Sequence, residues 1–358
     1  MSRSRLGMSA ILLFALSAFV VAQEPKKDAQ PPKDPGKVDP KPADPKQPTP
    51  PAGDGKRFEF RFEKDKKFYQ EQETSVQQII KAQGQDLTQK QSSKFWFEYT
   101  PVDNKDGKWT VKQRVEGLAM SIDISGNQIN YNSTQPDNPS TGNPGLTEFF
   151  KKLVGAEFTA TIDKDFKVEK VDGAKEFIAS VAAGSQQMDT LLRRILTDDA
   201  LKEMCDPTKN IVPDAPKKAG ESWTKTSNLS LGPIGSYTVT YKFTYIGPDK
   251  DLDKIDVETT LKYVAPDGKK DGAGDGLLFR IKSGELNSIG ADGKPGPGKG
   301  TVYYNPKSGR LDSADINIKL KGELTVTIGG TDTKVELEQE QKTTVRTGET
   351  SLMPAKKG

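Results

Sequence analysis

The chain has 358 residues, with 53 Lys and Arg against 50 Asp and Glu, one Cys and no His. A formal charge of +3, with both signs interspersed, makes no electrostatic footprint for nucleic acid or an anionic membrane surface. Without histidine there is no Ser-His-Asp triad, Cys-His pair or imidazole metal site, and a single Cys excludes an internal disulfide.

Arg3 and Arg5, an apolar run over residues 11–21 and the small-residue site Val20-Val21-Ala22 predict a secretory signal over residues 1–22. The run is short for a membrane span, and an uncleaved anchor is the alternative. No Cys follows the run and the two arginines are not adjacent, which argues against a lipid-modified terminus and against the twin-arginine route. Residues 23–55 are Pro, Lys, Asp and Gln, with ten prolines from Pro25 to Pro51. Such a stretch cannot bury enough apolar surface to fold, so it predicts a disordered, partly polyproline spacer. Its role is reach, or alternatively that of a Pro-rich ligand.

Folded sequence begins at Arg57. Phe58, Phe60 and Phe62 alternate with polar residues, predicting a half-buried strand. Strands follow over residues 68–82 and 86–102. In the second, Phe95, Phe97 and Tyr99 share one face, with Lys94, Trp96 and Glu98 on the other. Further strands cover residues 109–124 and 127–131. The short turns between them, at 104–107 and 125–127, predict an antiparallel meander. A polar loop (132–144), a short helix (146–154) and a hairpin (157–162 with 167–171) come next.

Over residues 171–204 the period becomes helical. Phe177, Ile178 and Val181 make one apolar stripe. Met188, Leu191, Leu192, Ile195 and Leu196 make a second at i, i+3, i+4, i+7 and i+8, with Arg193 and Arg194 facing away. Gly184 separates the stripes, Ser185 is placed to cap the second, Asp198 the last turns, and Pro207 ends the insert. The aromatic face of the next β block is the expected partner. Cys205 reads as a buried thiol at a helix end, with an intermolecular bridge or a reactive thiol as alternatives.

The second β block opens at Glu221-Ser222-Trp223. From 236 to 246 Tyr237, Val239, Tyr241, Phe243 and Tyr245 alternate with Thr and Lys. Similar alternation marks residues 255–263, 277–281, 316–320, 324–328 and 335–337, and residues 349–358 read as a frayed tail.

Candidate sites are few. Residues 293–300, GKPGPGKG, match the first seven places of a phosphate-binding loop. However, Gly300 replaces the magnesium-binding Ser/Thr, and Thr301–Tyr304 read as strand where a helix is required. The segment reads as a hairpin loop. Asp267, Asp271 and Asp275 are four apart, where a calcium loop needs acids two apart and a closing Glu. Asp198-Asp199 suits a helix start through the dipole. Trp96 and Trp109 could form a carbohydrate or lipid platform, or simply pack. No catalytic, cofactor-binding or metal-ligating residue is assigned.

Residues 62–69, Gly126, Lys218-Ala219-Gly220-Glu221-Ser222-Trp223 and the hairpin Tyr304-Asn305-Pro306-Lys307-Ser308-Gly309-Arg310-Leu311 resemble a family of secreted or lipid-anchored bacterial proteins. That family carries a domain of unknown function and a recurring (V)GDSW step into its second β block. The resemblance spans residues 57–347, with Asn305 where the family has Asp, and it implies no activity and no site residues. In shape alone the chain is similar to the half-barrels that carry envelope lipoproteins. The expected fold is mainly β (α+β): long antiparallel, curved sheets or a half-barrel with a helical insert on the concave face. One globular domain (56–348) would hold a β block (57–133), the insert (145–205) and a second β block (221–347). The expected function is that of an exported, periplasmic, extracellular or cell-surface protein. It would be non-enzymatic and cofactor-free, binding an apolar ligand or another envelope protein. The alternatives are a structural or adhesive stalked module and a His-free carboxylate hydrolase.

Overall fold

A computed structural model describes residues 55–135, 144–163, 167–182, 189, 192–193, 196–205, 211–230, 235–266, 279–328 and 331–355. The signal, nearly all of the spacer, Gly184, Ser185, Met188, Leu191, Arg194, Ile195, Pro207 and the three spaced aspartates at 267, 271 and 275 lie outside the described residues.

The elements in chain order are β1 (Phe68–Ala82), β2 (Gln85–Lys105), β3 (Lys108–Ile124), β4 (Asn127–Asn132), α1 (Pro144–Leu153), β5 (Glu157–Ile162), β6 (Val168–Asp172), α2 (Ala174–Ala182), α3 (Asp198–Met204), β7 (Ser222–Ser230), β8 (Ser236–Asp249), β9 (Leu252–Val264), β10 (Phe279–Ile289), β11 (Gly298–Asn305), β12 (Arg310–Ile328) and β13 (Thr331–Gly348). All strands join one 13-stranded sheet, ordered β6-β5-β3-β2-β1-β13-β12-β10-β9-β8-β7, with β4 on β3 and β11 between β12 and β9. The first hairpins turn on Gln83-Gly84, Asp106-Gly107 and Ser125-Gly126. Both residues of each pair have positive φ, the geometry that matches the twist of antiparallel strands.

The two β blocks are halves of the same sheet. The first strand lies against the last, from Tyr69 opposite Gly348 to Ala82 opposite Val335. The two ends of the strand order, β6 and β7, both touch α3, so the sheet is rolled until its edges meet one helix. Phe149, Phe150, Leu153, Phe177, Ile178, Leu192, Leu196 and Leu201 are buried with inner-face side chains of most strands in one large cluster. Phe158 and Phe177 rings lie 4.6 Å apart.

Several expectations are corrected. Residues 57–63 are extended but belong to no strand. The Glu59 amide donates to the Tyr304 hydroxyl and the Arg61 amide to Gly309 O, so period 2 survives without a ladder. Phe58 enters a second, smaller cluster and Phe60 and Phe62 the larger one. The aromatic face of β8 divides likewise. Tyr237 packs in the cluster of the helices, whereas Val239, Tyr241, Phe243 and Tyr245 pack with Phe58, Ile211 and Trp223. The separate strands expected at 316–320 and 324–328 are one strand, β12. Gly298 and Gly300 open β11 instead of lying in a loop, because their missing side chains admit Asn317 O and Asp315 O. Thr197, not Asp198, caps α3 by accepting from the Ala200 amide. Of residues 349–355, expected to fray, Leu352 and Met353 are half-buried, and Met353 lies over Gly117.

The two faces of the central strands differ in chemistry. The outer face carries cross-strand ion pairs, among them Lys319–Glu340, Lys321–Glu338, Lys342–Asp315 and Lys242–Glu258. The inner face of β13, β1 and β2 holds a buried, uncharged band: Gln339, Gln341 and Thr343, then Gln78 and Thr74, then Gln89, Gln91 and Ser93. Gln78 donates to Gln89 at 3.4 Å, Gln89 to Gln91 at 3.3 Å and Gln341 to Thr343 at 3.1 Å. A buried amide without a partner is costly, and the register puts partners side by side.

Candidate functional site

The outward residues of β2, β3 and β4 form three rows. Ser92 stands opposite Ser121, and Ser121 opposite Asn130. Lys94 stands opposite Ala119, and Ala119 opposite Asn132. Trp96 stands opposite Gly117. The middle strand therefore offers only Ser, Ala and Gly, while β2 offers Lys94 and Trp96 and β4 offers Asn130 and Asn132. Small residues between large ones leave a trough. It has a volume of about 610 Å³, and Thr134, Gln135 and Pro354, with Met120 and Tyr131 of the strands, are also in its lining.

A bulge in β3 between Val115 and Gly117 keeps this pattern in phase. Trp96 pairs with Gly117 and Phe97 with Val115, so Phe95 and Phe97 face the core while Trp96 faces out. Trp96 is nonetheless only 3% exposed, which corrects its expected exposure. Its indole N–H donates to Glu71 Oε2 at 2.9 Å. A side chain at Gly117 would meet Met353 Sδ at 2.5 Å and Trp96 at 3.4 Å, so the C-terminal segment fills the aromatic end of the trough. Ser351 Oγ donates to Glu116 Oε2 at 2.9 Å, and the Met353 amide to Ser351 Oγ at 3.2 Å. The segment forms a strap over this end of the trough, with Met353 over Gly117 and Pro354 in the lining.

The trough is polar without being a charge trap. Lys94 Nζ is 2.8 Å from Glu73 and 3.8 Å from Glu71, so its charge is already matched. The Asn132 carbonyl oxygen accepts from the Thr134 amide at 2.9 Å and from its hydroxyl at 2.8 Å. With its oxygen so engaged, Asn132 keeps its carboxamide N–H groups as its donors. Tyr131 lies 5.7 Å from Phe150, and burial pushes its phenol up from the usual range. Serine hydroxyls, carboxamides and ring edges can hold a hydrogen-bonding ligand; none is a nucleophile beside a base.

The other sequence candidates fall elsewhere. Trp109 is on the inner face, its ring 5.5 Å from Phe62, so it shares no platform with Trp96. In the glycine-rich segment the Gly290 amide donates to Lys294 O and the Gly296 amide to Ser288 O, a closed turn leading into β11. Asp198 is exposed at the start of α3, and Cys205 is buried as its C-cap. Trp223 donates to Ile211 O at 3.1 Å and stacks on Phe243. Gly220, with φ of +86°, makes the turn before it.

Sequence reasoning missed the trough because its floor is defined by what Gly117, Ala119 and Ser121 lack. The signal that could have found it was the alternation of small residues with Leu118, Met120 and Ile122. Among the described residues, three buried charged groups were also missed: Lys225, which donates to Asp214 at 2.6 Å, Arg310 and Asp253. Arg310 lies over the Phe68 ring at 4.4 Å and pairs with Glu349 at 3.1 Å; burial pulls its guanidinium below the usual value. Asp253 accepts from Tyr245 at 2.7 Å and lies 2.9 Å from Lys56 Nζ. The Arg310 and Asp253 sites tie the segment before β1 to the sheet.

Residues 106–277 match the model of a family of unknown function (DUF6263). The match includes β3, β4 and the Gly220–Trp223 step, and it stops short of residues 57–105 and of the Tyr304–Leu311 hairpin. No curated protein matches the chain. Among solved structures the chain is similar to one titled "lipid–protein interactions in lipovitellin", at 9% identity and a TM-score of 0.39. That similarity covers 83% of this chain and 27% of the other, so the chain spans about a quarter of that protein's length. It is also similar to Pseudomonas aeruginosa OccK5 (OpdH), at 7% identity and a TM-score of 0.20 over 79% of this chain and 98% of the other. For Acinetobacter baumannii OccAB2 the values are 8% and 0.19, over 81% and 99%.

Proposed function

We propose that the chain is an exported, non-enzymatic binding module of the cell envelope that holds its ligand in the trough of β2, β3 and β4. The carrying observation is that trough: a recess of about 610 Å³, within the size range of small-molecule sites, built on β2 and β3, each paired on both sides, and on β4, which pairs with β3. Export rests on Arg3, Arg5, the apolar run and the Ala22–Gln23 junction. The ion-paired outer face is suited to water and unsuited to lipid. The non-enzymatic part rests on the missing histidine and on the lining, which has hydroxyls and amides but no general base within reach of a nucleophile. The described apolar side chains of the helices are packed into the core, which favours a site on the outer face. We read the Gly220–Trp223 step as the family's GDSW-like step, and its role as structural.

Fractionation of cells making the full chain tests the reading. The expected result is a mature chain starting at Gln23, retained on washed envelope fragments and released by Ala119→Arg, which fills the trough. A cytosolic chain that keeps Met1 would sink export. Equal retention of both proteins would sink the trough.

A further inference from the structure

Building on the trough as the binding site, we propose that its ligand is a neutral oligosaccharide and that the C-terminal strap covers the aromatic end of the site. Four observations carry this. The lining supplies neutral donors and acceptors from Ser92, Ser121, Asn130, Asn132 and Thr134, the groups that pair with sugar hydroxyls in both senses. The one lysine in the lining is matched by Glu73 and Glu71, so an anionic ligand would meet two carboxylates and no unmatched cation. The methyl of Ala119 and the ring of Trp96 give an apolar floor under polar walls, the pairing that suits a sugar ring's C–H face and hydroxyl rim. Finally, Met353 occupies the space over Gly117 beside Trp96, so lifting the strap would lengthen the trough and bare the indole face.

The strap is built to be displaced. Its described attachments include the Ser351–Glu116 hydrogen bond, made on the exposed surface, the Met353 contact and the packing of Leu352 beside Gly348. Neither Ser351 nor Pro354 is buried, and a single hydrogen bond on the exposed surface adds little net stability. A ligand ring stacked on Trp96 would replace the methionine thioether with a larger apolar contact.

The test uses an array of neutral and acidic oligosaccharides with three proteins: the full chain, Ala119→Arg, and a chain ending at Thr350. The full chain should bind neutral oligosaccharides only. Ala119→Arg should weaken that binding by about tenfold or more, equivalent to roughly 1.4 kcal/mol. The shortened chain should bind the same sugars more tightly. Far-ultraviolet circular dichroism checks that each variant is folded, and Ser121→Arg repeats the block at a second position. Absence of neutral-sugar binding by both the full and the shortened chain would overturn the proposal, as would a preference for acidic sugars. Loss of binding on shortening would overturn the strap's role as a cover. If envelope retention still depends on Ala119 while no sugar binds, the ligand class fails and the binding module stands. If both fail, the module reading fails too.

Discussion

Leu192 and Arg193 are sequence neighbours in opposite environments. Leu192 is 4% exposed inside the large cluster. Arg193 is exposed and paired with Asp189 at 2.8 Å, one helical turn back. Leu192→Ala should cost about 2–5 kcal/mol, as deletion of a buried leucine does. Arg193→Ala should cost about 0.5 kcal/mol or less, because exposed i,i+4 pairs contribute little. Denaturant midpoints decide it; small and equal effects would show that the stripe does not face the core. The residue pattern gave this orientation from spacing alone, since the period of 3.6 assigns faces without reference to the partner. It did not give the partner. Tyr237 joins the helices while Tyr241 and Phe243 pack elsewhere, and nothing in strict alternation marks where along a strand one cluster ends.

At the level of elements, the inner band of β13, β1 and β2 is a row of paired carboxamides. A slip of register between β1 and β2 would part them, but here Gln78 and Gln89 are directly opposite and hydrogen-bonded. Gln78→Met alone should cost about 1–3 kcal/mol, because it strips the Gln89 carbonyl of a donor in a buried place. Gln78→Met with Gln89→Met should cost less than the sum of the two single changes. Additive losses in the double-mutant cycle would show that the pair is not coupled. The strap makes a second element-scale prediction. Ending the chain at Thr350 should lower stability by about 1 kcal/mol and make Trp96 more accessible to acrylamide quenching, with Trp96→Phe identifying its share of the emission. Unchanged quenching would mean that Met353 does not cover the ring. Strand positions were legible because alternation is local. The docking of residues 349–355 was not, because a short polar segment with Pro354 reads as a loose end until Gly117 offers it a seat.

For the whole molecule, pH is the natural probe. Burial pushes the phenols of Tyr237 and Tyr263 far above their usual range, and burial with the Asp253 carboxylate does the same for Tyr245. In the unfolded chain tyrosines lose their protons near pH 10. The folded chain keeps them, so this contribution is fully present below about pH 10 and is lost as pH rises beyond it. At the acid end, hydrogen bonds from Lys321 and Asn317 hold Glu338 and Glu340 below the usual carboxylate range. Their contribution is present above about pH 4.3 and is lost as pH falls below it. With no histidine, the thermal midpoint should be nearly flat from about pH 6 to 8 and fall above about pH 10. Tyr237→Phe should reduce the alkaline slope. A midpoint that changes steeply between about pH 6 and 8, or an alkaline slope untouched by Tyr237→Phe, would refute the assignment.

The sequence by itself determined the class of fold, the antiparallel meander of β1 to β4, the inward side of Phe177, Ile178, Leu192 and Leu196, and the absence of imidazole chemistry. These follow from periodicity, turn residues and composition, all readable within a few residues of one another. Only the tertiary structure decided that the two β blocks are one sheet, because β1 and β13 are separated by most of the chain and their pairing is set by matching inner faces over their whole length. It also decided that Phe58 to Phe62 serve the core without a ladder, that Trp96 and Trp109 lie on opposite faces, and that the recess lies outside the sheet. A trough is a relation between rows of side chains on neighbouring strands. Its position depends on register and on one bulge beside Gly117, and neither is fixed by any stretch of sequence read alone.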